Sequence, residues 1–268
     1  MKPSVGLGLG CFLLLGACAG TPAAVISSAP AVSNEGYLSA DELSRLAQTI
    51  PPPPAVGSTV DLADRAASQA LAPLQGGDRW LLATAHAEIR PPVALQHFDC
   101  ALNARLAGQA TPALDRMMAR LFHDADHVAE AVKTRAMRPR PVADEPDRQA
   151  CQRVTDAGRA SPSYPSGTSA VATAYAEGFA ALAPDRAIAV RDVGHEIGIS
   201  RLICAMHYPS DVAAGEALGR AVFQAASTTS AFAADLEAAR TELRTVRATG
   251  LTNAGCAAEA RTLALPLP

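Results

Sequence analysis

Seven apolar residues after Thr111-Pro112 recur at helical spacing: Leu114, Met117, Met118, Leu121, Ala125, Val128 and Val132. Steps of three and four place them on one stripe of an α-helix, whereas a strand would scatter them over both faces. Threonine before proline supplies a capping residue and a first helical position that needs no N–H. The run therefore predicts a helix from Pro112 to Lys133, ended by Pro139 and Pro141. Asp61 to Leu74, Asp78 to Ile89, Ser166 to Ala183, and Asp185 through Gly198 into Ser200-Arg201 read as further helices. Ser210 can cap a helix from Asp211 to Ala226. A last amphipathic helix follows Ser230, with Phe232, Leu236, Leu243 and Val246 on one side. A loop starts at Pro139 and Pro141 and runs through Cys151 to Pro165. Nothing alternates as a strand should, alanine is abundant and aromatics make up only 4%. Alanine loses no side-chain entropy in a helix. The expected fold class is all-α, a helical bundle.

A net charge of -3 leaves no basic footprint for nucleic acid. At the N-terminus, Lys2 precedes an apolar run from Val5 to Leu15 that is too short for a permanent membrane span. Leu15-Gly16-Ala17-Cys18 resembles a bacterial lipoprotein box, so residues 1–18 read as a signal peptide with Cys18 as the lipidation site. Cleavage after Ala19 is the alternative. Either route places the chain in the periplasm, with a lipid anchor as its only membrane contact. Residues 19–60 read as a Pro/Ala/Ser-rich leader with an extended Pro51 to Pro54 segment. Residues 61–268 read as a single helical domain. Export gives Cys100, Cys151, Cys204 and Cys256 an oxidising setting, and two disulfides are expected with three pairings open. Their spacing is poor for zinc, and no metal or other cofactor is expected. Oligomeric state stays open, a homo-oligomer included.

The residues that carry chemistry fall in three blocks. Lys133 is followed after six residues by Arg140-Pro141; then come Tyr164-Pro165-Ser166-Gly167-Thr168, and finally Ser200-Arg201 with His207 and Asp211. Pro-Ser-Gly where a loop becomes a helix offers free backbone N–H groups to an anion, and Ser166 adds a hydroxyl. Arg140 and Arg201 can each grip two phosphate oxygens, and Lys133 adds a point charge. His207 and Asp211 are one helical turn apart. The carboxylate can accept the imidazole Nδ1–H and leave Nε2 free to attack. Singly, each feature is more often a surface charge, a common turn or a local ion pair.

Together the blocks match the signature of the type-2 phosphatidic acid phosphatase (PAP2) superfamily, which vanadium haloperoxidases share. Arg79-Trp80, Ser163 to Gly167, Gly194 to Arg201, Cys204 to Asp211 and Ala239 to Leu243 resemble the bacterial class A non-specific acid phosphatases. The similarity runs from Tyr37 to Leu243. It implies an exported, metal-independent enzyme that hydrolyses phosphate monoesters and is inhibited by phosphate or vanadate. It further implies that His207 forms a phosphohistidine and that Asp211 orients it. Lys133, Arg140, Ser166, Gly167 and Arg201 would hold the phosphoryl oxygens. One position departs: the family has histidine after Pro-Ser-Gly as general acid, and Thr168 stands there. A threonine hydroxyl is too weak an acid for that work, so activity is expected to be impaired or selective. The alternative is a catalytically inactive phosphate or phosphoester binder on the same fold. Of the other histidines, His195 precedes Arg201 by six residues and is the first candidate substitute. His123 and His127 are weaker, and His86 and His97 have no motif around them. Loss of the histidine disfavours a haloperoxidase, and the lack of apolar spans disfavours a membrane lipid phosphatase.

Overall fold

The computed structural model describes residues 35–145 and 147–268, and the signal segment with Cys18 lies outside them. Twelve α-helices and no strand occur among the described residues. In chain order, the first six are α1 (Ala40–Thr49), α2 (Thr59–Ala70), α3 (Asp78–Ala85), α4 (Asp99–Leu102), α5 (Pro112–Lys133) and α6 (Pro141–Asp144). The others are α7 (Asp156–Ala160), α8 (Gly167–Leu182), α9 (Ala187–Ile203), α10 (Pro209–Ala226), α11 (Ser230–Ala248) and α12 (Cys256–Leu263). The all-α expectation holds.

The bundle is built around α8. Five of its alanines, with Val171, Tyr175, Phe179 and Leu182, are buried on nearly every side, which is where a helix without a polar face belongs. Helices α5, α9 and α10 pack around it, α11 and α1 cover α5, and α3 covers α9. Small residues permit a close α8–α10 crossing. A Cβ at Gly215 would lie 2.3 Å from the Ser166 carbonyl oxygen, and one at Gly219 would lie 2.2 Å from that of Ala170. Gly215→Ala should therefore push the turn at Ser166 out of place. The expected cost is about 1–3 kcal/mol, read by urea unfolding, and phosphatase turnover should fall with it. Unchanged stability would mean the helices separate freely.

Five expectations need correction. The stretch read as a leader contains α1, capped at Ser39, whose backbone N–H donates to Glu42 at 2.8 Å while its Oγ accepts from the Glu42 N–H at 3.4 Å. Leu43 and Ala47 bury its inner face, and Asp124 of α5 accepts from the Tyr37 N–H at 2.8 Å. Thr111 precedes α5 but its side chain does not cap it. Glu242 of α11 accepts from Ala113 and Leu114 at 3.0 and 2.9 Å instead. Helix α10 begins at Pro209, with Tyr208 rather than Ser210 at its cap. A short helix, α12, follows the one expected to be last, and α6 and α7 interrupt the expected loop.

Of the three pairings, the chain makes Cys100–Cys256 and Cys151–Cys204. The first ties α12 to α4. The second fastens the segment before α7 to the end of α9, three residues from Arg201. No helix among the described residues is long and apolar enough to cross a membrane.

Candidate active site

Three chain segments meet at the N-terminus of α8. Lys133 closes α5, and its Nζ would stand 3.5 Å from a Cβ on Gly167. The segment after α5 delivers Arg140. Arg201 comes from the last turn of α9, and the turn that follows delivers His207. That turn is closed by a Met206 N–H to Arg201 carbonyl bond of 3.1 Å and has Ala205 at φ 54°. This is the left-handed position that glycine usually fills at a helix end. Lys133, Arg140, Gly167, Thr168, Arg201 and His207 all line one cleft of about 330 Å³.

The electrostatics of this cleft are unusual. Arg201 is only 4% exposed, yet no carboxylate pairs with it among the described residues. Its Nη1 reaches Gln152 at 3.4 Å and its buried Nε has no partner. Burial, with the nearby Arg140 charge, pushes its guanidinium down to about 10. Arg140 is buried too, donating to the Met206 carbonyl at 2.9 Å and to Ser161 Oγ at 3.1 Å. Such cations are costly to bury without a counter-charge. The cleft is built to receive an anion.

His207 faces that cation set. Its Nδ1 lies 2.7 Å from the Ser163 carbonyl, which has no proton to give, so Nδ1 carries the hydrogen. Nε2 keeps its lone pair and lies 3.2 Å from Arg140 Nη1. Burial, then Arg140, Arg201 and Lys133, hold the imidazole well below its ordinary pKa. Both effects favour the neutral ring.

Asp211 departs from the expected geometry. Its Oδ2 is 3.9 Å from His207 Nδ1, too far for a hydrogen bond, and the Ser163 carbonyl has taken the place expected for it. Asp211 accepts instead from the Tyr208 N–H at 2.8 Å and from Arg138 Nη1 at 2.7 Å. Burial pushes its carboxyl up while Arg138 works against that. The reason lies in the chain path: His207 stands before α10 and Asp211 in its first turn, so the side chains are not stacked on one helix. Ser166 also departs. It is fully buried, off the cleft wall, and its Oγ accepts from Ser169 N at 3.2 Å as the α8 cap. The Gly167 and Thr168 N–H groups, which precede the helical ladder, present the N-terminus of α8 instead.

Arg138 escaped the sequence reading. It is buried and joins three carboxylates, Asp211 at 2.7 Å, Asp64 at 2.8 Å and Asp61 at 3.0 Å. Its position two residues before Arg140 was the available signal. The histidines lie elsewhere. His195 is exposed and paired with Glu216 at 2.7 Å, His123 pairs with Asp124 and stacks on His127, and none of these lines the cleft. His86 is buried against Ser200 Oγ at 2.8 Å, behind Arg201, with His97 against its ring.

Comparison with known proteins places this geometry. Residues 123–233 match the PAP2 superfamily, and that stretch contains every cleft residue of the three blocks. An acid phosphatase of Zymomonas mobilis is 31% identical over 203 residues, covering 75% of this chain and 76% of that one. The chain belongs to the PAP2 superfamily, among its acid phosphatases. A non-specific acid phosphatase of Salmonella typhi is 30% identical, covering 72% of this chain and 78% of that one. A crystal structure of a transmembrane PAP2-type phosphatidylglycerolphosphate phosphatase from Bacillus subtilis overlaps 69% of this chain and 90% of that one. Its TM-score is 0.46 at 19% identity. Thr168 lines the cleft beside Gly167.

Proposed function

We propose that this acid phosphatase is exported and hydrolyses small phosphate monoesters through a phosphohistidine on His207. The observation that carries the reading is the pairing of a neutral, buried imidazole with two buried guanidiniums that have no carboxylate of their own. A phosphate dianion would supply the missing counter-charge. Arg140, Arg201, Lys133 and the first N–H groups of α8 would hold its oxygens with the phosphorus in front of Nε2. Charge that spreads over those oxygens in the transition state meets donors already fixed in place. The Ser163 carbonyl holds the Nδ1–H, and the Asp211 carboxylate lies near enough to offset the positive ring once the N–P bond has formed. Burial, and then the cations, favour the neutral ring that attack requires. The disulfides Cys100–Cys256 and Cys151–Cys204 support an oxidising compartment and hence export.

Thr168 favours one other reading, a binder that keeps the anion pocket without turnover. The two readings part on para-nitrophenyl phosphate, whose leaving group needs little protonation. A phosphatase releases nitrophenol from it and the binder does not. The same logic gives a prediction for the departure itself. Thr168→His should raise activity on glycerol phosphate by about 10²-fold, and on the aryl ester much less. Equal gains on both esters, or none, would contradict this account of the substitution.

A further inference from the structure

Hydrolysis of an alkyl phosphate needs a proton for the departing oxygen, and Thr168 cannot give one. Among the described residues, no histidine other than His207 lines the cleft, and Asp126 is the one carboxyl group that does. It stands on α5 seven residues before Lys133, two turns back on the same side of the helix. The helices α5 and α8 run antiparallel here. A Cβ at Gly167 would lie 3.6 Å from that of Ala129, and one at Gly178 would lie 3.1 Å from Leu121 Cδ1. Asp126 lies between these contacts, level with the first turns of α8, and shares the cleft wall with Thr168 and Val171. It is half-buried among Glu130, Lys133 and His127 of its own helix, Arg90 from the segment before α4, and Tyr175 of α8.

We propose that Asp126 protonates the leaving oxygen in this chain, directly or through one water, in place of the histidine that Thr168 replaces. The inference rests on the phosphatase reading above. In the first step the His207 Nε2 lone pair forms the N–P bond and the P–O ester bond breaks. Its electron pair stays on the leaving oxygen, which takes the Asp126 carboxyl proton and departs as the alcohol. In the second step the Asp126 carboxylate takes a proton from water. The water oxygen attacks phosphorus, the N–P electrons return to Nε2, and phosphate leaves with Asp126 protonated again. Burial and then Glu130 push this carboxyl up, against Lys133, Arg90 and His127. A larger share is therefore protonated in mild acid than for a free carboxyl.

The test measures kcat/KM for glycerol phosphate and para-nitrophenyl phosphate on each preparation and takes their ratio, which does not depend on the fraction of folded enzyme. Asp126→Asn should lower the alkyl-to-aryl ratio by about tenfold or more. In a Thr168→His background the same substitution should leave the ratio unchanged, because the imidazole now supplies the proton. Equal losses on both esters would make Asp126 a structural or binding residue and overturn the proposal. A ratio change that persists in the histidine background would overturn it as well. Failure of the underlying reading looks different: the parent chain would turn over neither ester, or would keep turnover after His207→Ala.

Discussion

Replacing His207 by alanine should lower kcat/KM for para-nitrophenyl phosphate by about 10⁴-fold or more, the scale on which loss of a catalytic nucleophile is felt. Nothing else on the cleft wall has the same geometry. Thr168 carries only a weakly nucleophilic hydroxyl, and Lys133 is engaged with Glu130 at 2.6 Å. Binding should survive the change. Arg140 and Arg201 are anchored by the Met206 carbonyl and Gln152 rather than by the imidazole alone. Inorganic phosphate should bind the variant within about tenfold of the parent affinity, since one modest hydrogen bond separates the two states. Isothermal titration beside steady-state kinetics checks both halves. Retained turnover would move the nucleophile elsewhere; lost binding would mean the imidazole holds the cation set together.

The second large effect is expected away from the cleft. Arg138→Met should leave Asp64 and Asp211 buried without their cation, while Asp61 keeps Arg65 at 3.0 Å. Removing one partner of a buried ion pair costs about 3–5 kcal/mol. For a domain of this size that is a fall in Tm of about 6–20 °C. The pH dependence has a definite sign. Burial pushes Asp61 up, but the Gly57 N–H, Arg65 and Arg138 hold it at about 2 in the parent chain. Burial already holds the Asp211 carboxyl above its ordinary value, and without Arg138, which works against that, it should rise further. The deficit is then fully present near neutrality and shrinks as pH falls and Asp211 takes up a proton. Melting curves of parent and variant at several pH values give the answer. A deficit independent of pH would mean that Arg138 matters only for packing over the Tyr208 ring.

Legibility in the sequence followed the range of the interactions. Helix α5 was readable almost to its ends because its signal is a local period. Helix α1 was not, because Pro51 to Pro54 and many small residues hid the helical spacing of Leu43, Leu46 and Ala47. The cap on α5 comes from Glu242, more than a hundred residues away, and no local rule could find it. The cleft shows the same division. Lys133, Arg140, Gly167, Thr168, Arg201 and His207 were fixed by the spacing of a recognisable signature. Their partners were not. The spacing of His207 and Asp211 suggested direct pairing, but Pro209 starts α10 between them and turns the ring to Ser163. Ser166 offered a hydroxyl to either a ligand or a helix end, and the buried α8 N-terminus took it. Arg138 carried no mark beyond its place two residues before Arg140, since its importance comes from Asp61 and Asp64 on a helix far away in sequence.

The mechanism stands or falls on a covalent bond from phosphorus to His207. The most direct measurement mixes the chain with a ³²P-labelled aryl phosphate, quenches within one turnover in alkali, and maps the labelled peptide. The account predicts an acid-labile, alkali-stable label on the peptide that contains His207, absent from His207→Ala. Turnover with no protein-bound label, or with label on another peptide, would contradict it.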